Sequence, residues 1–121
     1  MTSFKTLVLG ASENPSRYSN MAVKRLRQYN HEVIAIGLRR GKIDDVEIIT
    51  EHPELADVDT ITLYLSAKNQ IPYYDYILSL KPRRIIYNPG AENTELEQLA
   101  EKAGIENLEA CTLVMLGTGQ Y

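Results

Sequence analysis

The residues best suited to chemistry in this sequence lie in one short stretch near its beginning. Thr6-Leu-Val-Leu9 is an apolar run, typical of a strand that is buried on both faces. Gly10 then allows a tight turn, and we expect a helix to begin between Tyr18 and Asn20. The first N–H groups of a helix lack intrahelical partners and carry the positive end of the helix dipole. The stretch therefore predicts a turn that binds an anion.

Arg17 gives this turn a permanent positive charge. Its planar guanidinium presents N–H donors in a geometry that matches a phosphate group. We expect Ser16, Ser19 or Asn20 to cap the helix, so that the segment from Ala11 to Arg17 arches over the helix N-terminus. The alternative is an ordinary strand-to-helix connection whose polar residues only contact water.

Two sharper phosphate motifs are absent. A P-loop needs a second glycine followed by Lys-Ser or Lys-Thr, but no second glycine follows Gly10 in this turn and no lysine lies between Gly10 and Lys24. The dinucleotide fingerprint needs three glycines and an acidic residue at the end of the second strand. These absences argue against nucleoside triphosphate hydrolysis and against standard NAD binding.

Positive charge follows the predicted second strand, where an NAD domain would have its carboxylate. Arg39, Arg40 and Lys42 suit a phosphate on the ribose of the ligand. CoA carries such a phosphate at the 3′ position and NADP at the 2′ position, so both are candidate ligands. The alternative is that both arginines are simply solvated, as paired arginines in surface loops commonly are.

Composition limits the function further. The chain has 121 residues, 44% hydrophobic and 24% charged, which predicts one domain over residues 1–121. Its net charge of −3 provides no basic field for nucleic acid. No apolar run is long enough to span a membrane, so we expect a soluble, cytoplasmic protein.

Few residues offer metal or thiol chemistry. Cys111 is the single cysteine, which excludes an intrachain disulfide. His31 and His52 are the only histidines, and their spacing to Cys111 matches no metal site. We expect His31 at a helix–strand junction and His52 in a surface loop, both solvated. The sequence therefore predicts no metal.

Strand-like runs alternate with amphipathic helices along the chain. This order predicts an α/β fold: a Rossmann-like, doubly wound, mostly parallel sheet of about five strands with helices on both faces. The predicted strands are 6–9, 32–36, 60–65, 84–87 and 106–109, with 45–49 as a short extension or edge strand. The predicted helices are 20–29, 69–80, 93–103 and 111–116, with a brief turn at 53–55. Thr94 and Glu97 have the spacing of a capping box.

In such sheets ligands bind beyond the carboxyl ends of the strands, where the strand order reverses. The predicted strand ends carry small or turn-forming residues that let a ligand approach the backbone. These are Gly10-Ala-Ser12, Gly37-Leu-Arg39, Leu65-Ser-Ala67 and Asn88-Pro-Gly90.

Several of these motifs together resemble a known family. Gly10-Ala-Ser-x-x-Pro15-x-Arg17-x-Ser19, Asn88-Pro-Gly90-x-Glu92-Asn93, Ala103-Gly104 and Cys111-Thr112 are similar to motifs of the small stand-alone CoA-binding proteins. Those proteins look like the N-terminal nucleotide domain of succinyl-CoA synthetase alpha chains. The resemblance runs from about Phe4 to Leu116. Gly37-Leu38-Arg39 stands where the family commonly has Asn-Pro-Lys, so only the cation is retained.

The resemblance implies a Rossmann-like fold that binds CoA or an acyl-CoA. The phosphate contacts it implies come from the first turn: Gly10, Ala11, Ser12, Asn14, Pro15, Arg17 and Ser19. The residues it places beside the adenine or the pantetheine arm are Leu65, Ser66, Asn88, Pro89 and Gly90. Arg39 and Arg40 complete the predicted site.

The sequence favours binding without catalysis. The phosphohistidine chemistry of the synthetases needs a further domain, and no carboxylate pair or histidine in this chain is placed for turnover. A protein partner or a homodimer is left open. The alternatives are an NAD(P)-binding enzyme or redox regulator that uses Asn88 and Cys111, and an interaction module that has lost its ligand.

Overall fold

The computed structural model describes residues 3–121. Seven strands form one sheet in the order β3-β4-β2-β1-β5-β6-β7. The strands are β1 (Thr6–Leu9), β2 (Val33–Ile36), β3 (Gly41–Ile43), β4 (Val46–Ile49), β5 (Thr60–Leu63), β6 (Arg84–Tyr87) and β7 (Glu106–Glu109). The helices are α1 (Tyr18–Gln28), α2 (Ala67–Gln70), α3 (Tyr74–Ser79), α4 (Thr94–Lys102) and α5 (Thr112–Gly117), with a 3-10 turn at Ile71–Tyr73 between α2 and α3.

The sheet is parallel except at one edge. β1 lies at its centre and pairs in parallel with β2 on one side and β5 on the other. Only β3 is antiparallel, and it pairs with β4. Strand order therefore reverses between β1 and β5, as in doubly wound nucleotide-binding folds. The predicted Rossmann-like class is confirmed, with seven strands rather than about five.

Alternate residues of the central strands pack on opposite faces, because side chains in a strand alternate. Leu7 and Leu9 point to the face covered by α3 and α4, where they join Ile77 and Leu96. Val8 points to the other face, which α1 and α5 cover through buried residues that include Val23, Leu26 and Leu116. Burial on both faces explains why Leu7, Val8 and Leu9 are all apolar.

Three predicted elements differ from the structure. The helix predicted at 69–80 is divided into α2, the 3-10 turn and α3, since Pro72 has no N–H to donate within a helix. The turn of helix predicted at 53–55 is absent. The edge region contains two strands, β3 and β4, which form a hairpin with Asp44 in the left-handed region (φ 50°).

Both predicted N-caps were wrong. Asn93, not Thr94, caps α4, and its side chain accepts a hydrogen bond from the N–H of Leu96 at 3.1 Å. The N-cap of α1 is Arg17, whose side chain makes no capping bond, and Ser19 and Asn20 lie inside the helix.

No helix among residues 3–121 has both the length and the apolar character needed to cross a membrane.

Candidate functional site

A cleft of about 830 Å³ opens beyond the carboxyl ends of β1 and β5, where the strand order reverses. Its walls come from the turns that follow β1, β2, β5 and β6. The lining residues are Gly10, Ala11, Ser12, Glu13, Asn14, Arg17, Tyr18, Ser19, Leu38, Arg39, Arg40, Tyr64, Leu65, Ser66, Asn69, Pro89, Gly90 and Ala91. Small-molecule sites have volumes of roughly 300–1,000 Å³, so the cleft is large enough for a nucleotide cofactor.

Gly10 sets the shape of the first turn. Its φ of +94° favours glycine, and a Cβ at this position would lie 3.1 Å from the backbone of Tyr64. The N–H groups of Gly10 and Ala11 both donate to the carbonyl of Ile36, at 2.9 and 3.0 Å. These two amides are therefore used to fix the turn to β2, and they are not free for a ligand.

The next part of the turn is ordered by its own side chains. The Asn14 side-chain oxygen accepts from both the N–H and the hydroxyl of Ser16, at 3.0 and 2.8 Å. Ser12 Oγ accepts from the N–H of Asn14, and the Asn20 side chain donates to the Ser12 carbonyl. This network ties the turn to itself and to α1.

Four backbone N–H groups of the turn and helix start have no acceptor within residues 3–121. They belong to cleft-lining residues: Ser12, Glu13, Tyr18 and Ser19. The last two are the first residues of α1, where the helix dipole adds positive potential. Unused donors at a helix N-terminus suit a phosphate.

The three cleft arginines differ in what they already bind. Arg17 and Arg39 are exposed, and neither guanidinium has an acceptor within the described part of the chain. Arg40 donates to the Glu51 carboxylate. Arg17 and Arg39 are therefore the cations available to a ligand.

Glu13 is an acidic group in this otherwise cationic cleft. Its carboxylate accepts the N–H of Lys42 at 2.9 Å, and a Cβ on Gly41 would lie 2.3 Å from its Cδ atom. Glycine at position 41 thus lets the Glu13 side chain reach β3. The contact fastens the first turn to the hairpin at the edge of the sheet.

Two exposed apolar side chains stand on the cleft walls. Leu38 is 85% exposed and Tyr18 is 69% exposed. Large apolar residues with so much exposure are suited to cover a planar base. Tyr64 lies deeper, and burial raises the pKa of its phenol above the ordinary value.

The buried side-chain amide of Gln70 supports the cleft wall formed by the turns after β5 and β6. The Gln70 side chain is fully buried and donates to the carbonyls of Leu65 and Ala91, at 2.8 and 2.7 Å. Its oxygen accepts from the Asn93 side chain at 2.8 Å. Gln70 therefore holds the turn after β5 against the turn after β6.

Two predicted site residues lie outside the cleft lining. Asn88 is 2% exposed, and its side chain bonds to Thr62, to the Leu63 carbonyl and to the N–H of Thr112. These bonds give Asn88 a structural role beneath the cleft. Pro15 is exposed at the top of the first turn and also does not line it.

The other twelve predicted site residues all line the cleft; their contact with a ligand stays a prediction. They are Gly10, Ala11, Ser12, Asn14, Arg17, Ser19, Arg39, Arg40, Leu65, Ser66, Pro89 and Gly90. Sequence reasoning missed further lining residues: Glu13, Tyr18, Leu38, Tyr64, Asn69 and Ala91. Leu38 had a visible signal, because an apolar residue between Gly37 and Arg39 at a strand end has no core to enter.

Residues with other chemistry lie elsewhere. His31 is buried rather than solvated as predicted, and its Nδ1 accepts the N–H of Phe4 at 2.9 Å. His52 is exposed and lies against the rings of Tyr73 and Tyr76. Cys111 is partly buried at the N-cap of α5, outside the cleft lining.

A Rossmann-like sheet with an open, cationic cleft at its switch point is the architecture of a nucleotide-binding domain. The profile of one family, described as CoA binding domain, matches residues 5–117. The chain therefore belongs to this CoA-binding domain family, as the sequence motifs predicted.

Solved structures share the fold of this chain. A crystal structure of an uncharacterised protein is 46% identical, covers all of both chains and superposes with a TM-score of 0.97. A conserved hypothetical protein from Pyrococcus furiosus is 25% identical over 92% of this chain and 97% of its own, with a TM-score of 0.79. A protein from Thermus thermophilus shares the fold at 19% identity and a TM-score of 0.83, over 98% of this chain and 91% of its own. No curated protein matches the chain.

Proposed function

We propose that this protein binds CoA or an acyl-CoA, without catalysing a reaction itself, in the cleft beyond β1 and β5. The diphosphate lies at the start of α1, where unused backbone N–H groups and Arg17 meet. The phosphorylated ribose lies beside Arg39, and the adenine lies against Leu38 or Tyr18. The pantetheine arm runs between the turn after β1 and the turns joined by Gln70.

The observation that carries this proposal is the set of unused donors at one place. Four N–H groups and the Arg17 guanidinium, none of which has an acceptor in residues 3–121, line a cleft of suitable volume. Hydrogen bonds from backbone N–H and arginine to a charged acceptor are about twice as strong as neutral ones. Membership of the CoA-binding domain family supports CoA over other nucleotides as the ligand.

Absence of catalysis is proposed from the cleft's own residues. Its lining contains no histidine or cysteine, and its one carboxylate, Glu13, is bonded to the N–H of Lys42. No described pair of side chains in the cleft combines a nucleophile with a base at hydrogen-bond distance. A carrier or sensor of the cofactor fits this lining better than an enzyme.

Titration of the purified protein with CoA, acetyl-CoA, dephospho-CoA, NAD and NADP tests the proposal. Among these ligands we expect CoA to raise the melting temperature most. A ligand at 100 times its Kd stabilises the folded state by about 2.7 kcal/mol, which such a measurement detects. Native mass spectrometry of the same sample reports retained ligand and subunit number. A melting temperature that no ligand changes contradicts the proposal, and a preference for NADP over CoA favours the alternative dinucleotide function.

A further inference from the structure

Arg40 lines the cleft, yet its charge is already partly satisfied from outside the cleft. Nη2 of Arg40 contacts both carboxylate oxygens of Glu51. Glu51 follows β4 and is not among the cleft-lining residues. A ligand phosphate that approaches Arg40 would therefore meet a guanidinium that shares its charge with a carboxylate.

The ion pair between Arg40 and Glu51 is exposed to water and therefore weak. The Arg40 side chain is 65% exposed and the Glu51 side chain is 51% exposed. Water competes for both charges at such exposure, and surface pairs contribute little to stability. Desolvation acts to raise the pKa of Glu51, but the hydrogen bond and charge of Arg40 outweigh it and hold that pKa below its usual range, so Glu51 is ionised at neutral pH.

The neighbouring residue shows what Arg40 would offer without this contact. Arg39 is exposed on the same cleft wall and has no acceptor within residues 3–121. Within these residues, Glu51 is the acceptor that Arg40 has and Arg39 lacks. We propose that Glu51 is an internal competitor of the ligand: it holds Arg40 and thereby limits affinity for a phosphorylated ribose.

This inference rests on the proposed function and adds to it. A competing carboxylate makes binding weaker than the cleft's cations would allow. It also makes Glu51 a specificity-determining residue, although it touches no ligand. Removing its charge should strengthen binding of ligands that carry the ribose phosphate and leave the others nearly unchanged.

The test is the Glu51→Gln variant, which keeps the size of the side chain and removes its charge. We expect its Kd for CoA to fall by about two- to fivefold, the scale of an exposed ion pair, while its Kd for dephospho-CoA stays the same. The matched control is Glu54→Gln, an exposed residue of the same β4–β5 connection with the same change in net charge. This control should leave both dissociation constants unchanged.

A double-mutant cycle completes the experiment. In the Arg40→Ala background, Glu51→Gln should give no gain in CoA affinity, because the two residues act as a pair. If the wild-type protein binds CoA but Glu51→Gln binds it no more tightly, this inference is overturned and the proposed function stands. If Glu54→Gln strengthens CoA binding equally, the gain comes from the change in net charge and not from release of Arg40, and this inference is overturned. If the wild-type protein binds no CoA, both fail.

Discussion

The chain contains two Arg-Arg pairs, and the structure uses them in opposite ways. Arg39-Arg40 follows β2 at the carboxyl edge of the sheet, where both side chains are exposed on the cleft. Arg83-Arg84 begins at the amino edge, where Arg84 is 4% exposed and donates to Thr60 Oγ1 at 2.9 Å. The same dipeptide thus lines an open cleft at one edge, whereas at the other edge its second arginine is buried.

Aromatic rings make the difference at the amino edge. The guanidinium of Arg84 lies 4.5 Å from the ring centre of Tyr121 and 5.5 Å from that of Phe4. His31 stacks on Phe4, and the Tyr121 hydroxyl bonds to Thr6. At the carboxyl edge no such enclosure exists among the described residues. An arginine therefore becomes available to a ligand where the surrounding residues leave its charge uncovered.

The largest effect we expect is on the stability of the protein, when the arginines at the amino edge are replaced. Arg84→Ala removes a buried hydrogen bond and the packing beneath two rings, so the free energy of unfolding should fall by about 3 kcal/mol. Arg83→Ala removes a partly exposed pair with Asp59 and a contact with the Phe4 ring, and should cost about 1 kcal/mol. Urea denaturation of both variants measures this difference. Equal losses would mean that Arg84 is not a structural element of the core.

The next effect concerns ligand affinity at the other edge. Arg17→Ala should raise the Kd of CoA by about tenfold, which corresponds to about 1.4 kcal/mol and to the loss of one charged hydrogen bond. Isothermal titration calorimetry measures the change. The control is Arg25→Ala. Arg25 is exposed in the last turn of α1, and its replacement changes the net charge by the same amount. A similar loss in both variants would leave only long-range charge as the cause.

A smaller effect should distinguish the parts of the ligand. Arg39→Ala is expected to weaken CoA binding by about fivefold and dephospho-CoA binding hardly at all, because only CoA carries the ribose phosphate. The ratio of the two dissociation constants, compared between wild type and variant, measures how much Arg39 contributes to binding of the ribose phosphate. If the variant loses both ligands equally, Arg39 contacts another part of the ligand.

The smallest effect is a pH dependence at the amino edge. Burial, with a further contribution from the charge of Arg84, lowers the pKa of His31 below its usual 6.5. Folded protein therefore binds the proton less readily than unfolded protein, so this stability is present above about pH 6.5 and is lost as the pH falls through the folded pKa. Melting temperatures between pH 8 and pH 5 should fall less steeply in His31→Gln than in wild type. Parallel curves would contradict a neutral, buried His31.

Buried parallel strands were the most predictable part of the fold. β1, β6 and β7 have the predicted bounds, since a run such as Arg84-Ile-Ile-Tyr87 fills one strand between turns. β3 was missed because Gly41-Lys42-Ile43 has only three residues and pairs with β4 alone. Its strand character comes from the hairpin, which a propensity pattern does not show.

The site was predictable where it depended on strand ends and less so where it depended on side-chain partners. The turn after β1 could be recognised from Gly10 and Arg17, because glycine geometry and a cation are local properties. Whether Arg40 or Arg39 is free depends on Glu51, which is eleven residues from Arg40 in the chain. The structural role of Asn88 likewise depends on Thr112, on the other side of β7.

The side-chain network of Ser12, Asn14, Ser16 and Asn20 has a kinetic consequence. A turn that is already ordered does not need to fold around its ligand, so capture should occur in a single step without a slow isomerisation. Stopped-flow traces at increasing CoA should then give an observed rate that rises linearly with concentration. The on-rate should fall with added salt, because the uncovered guanidinium groups attract the polyanion before contact.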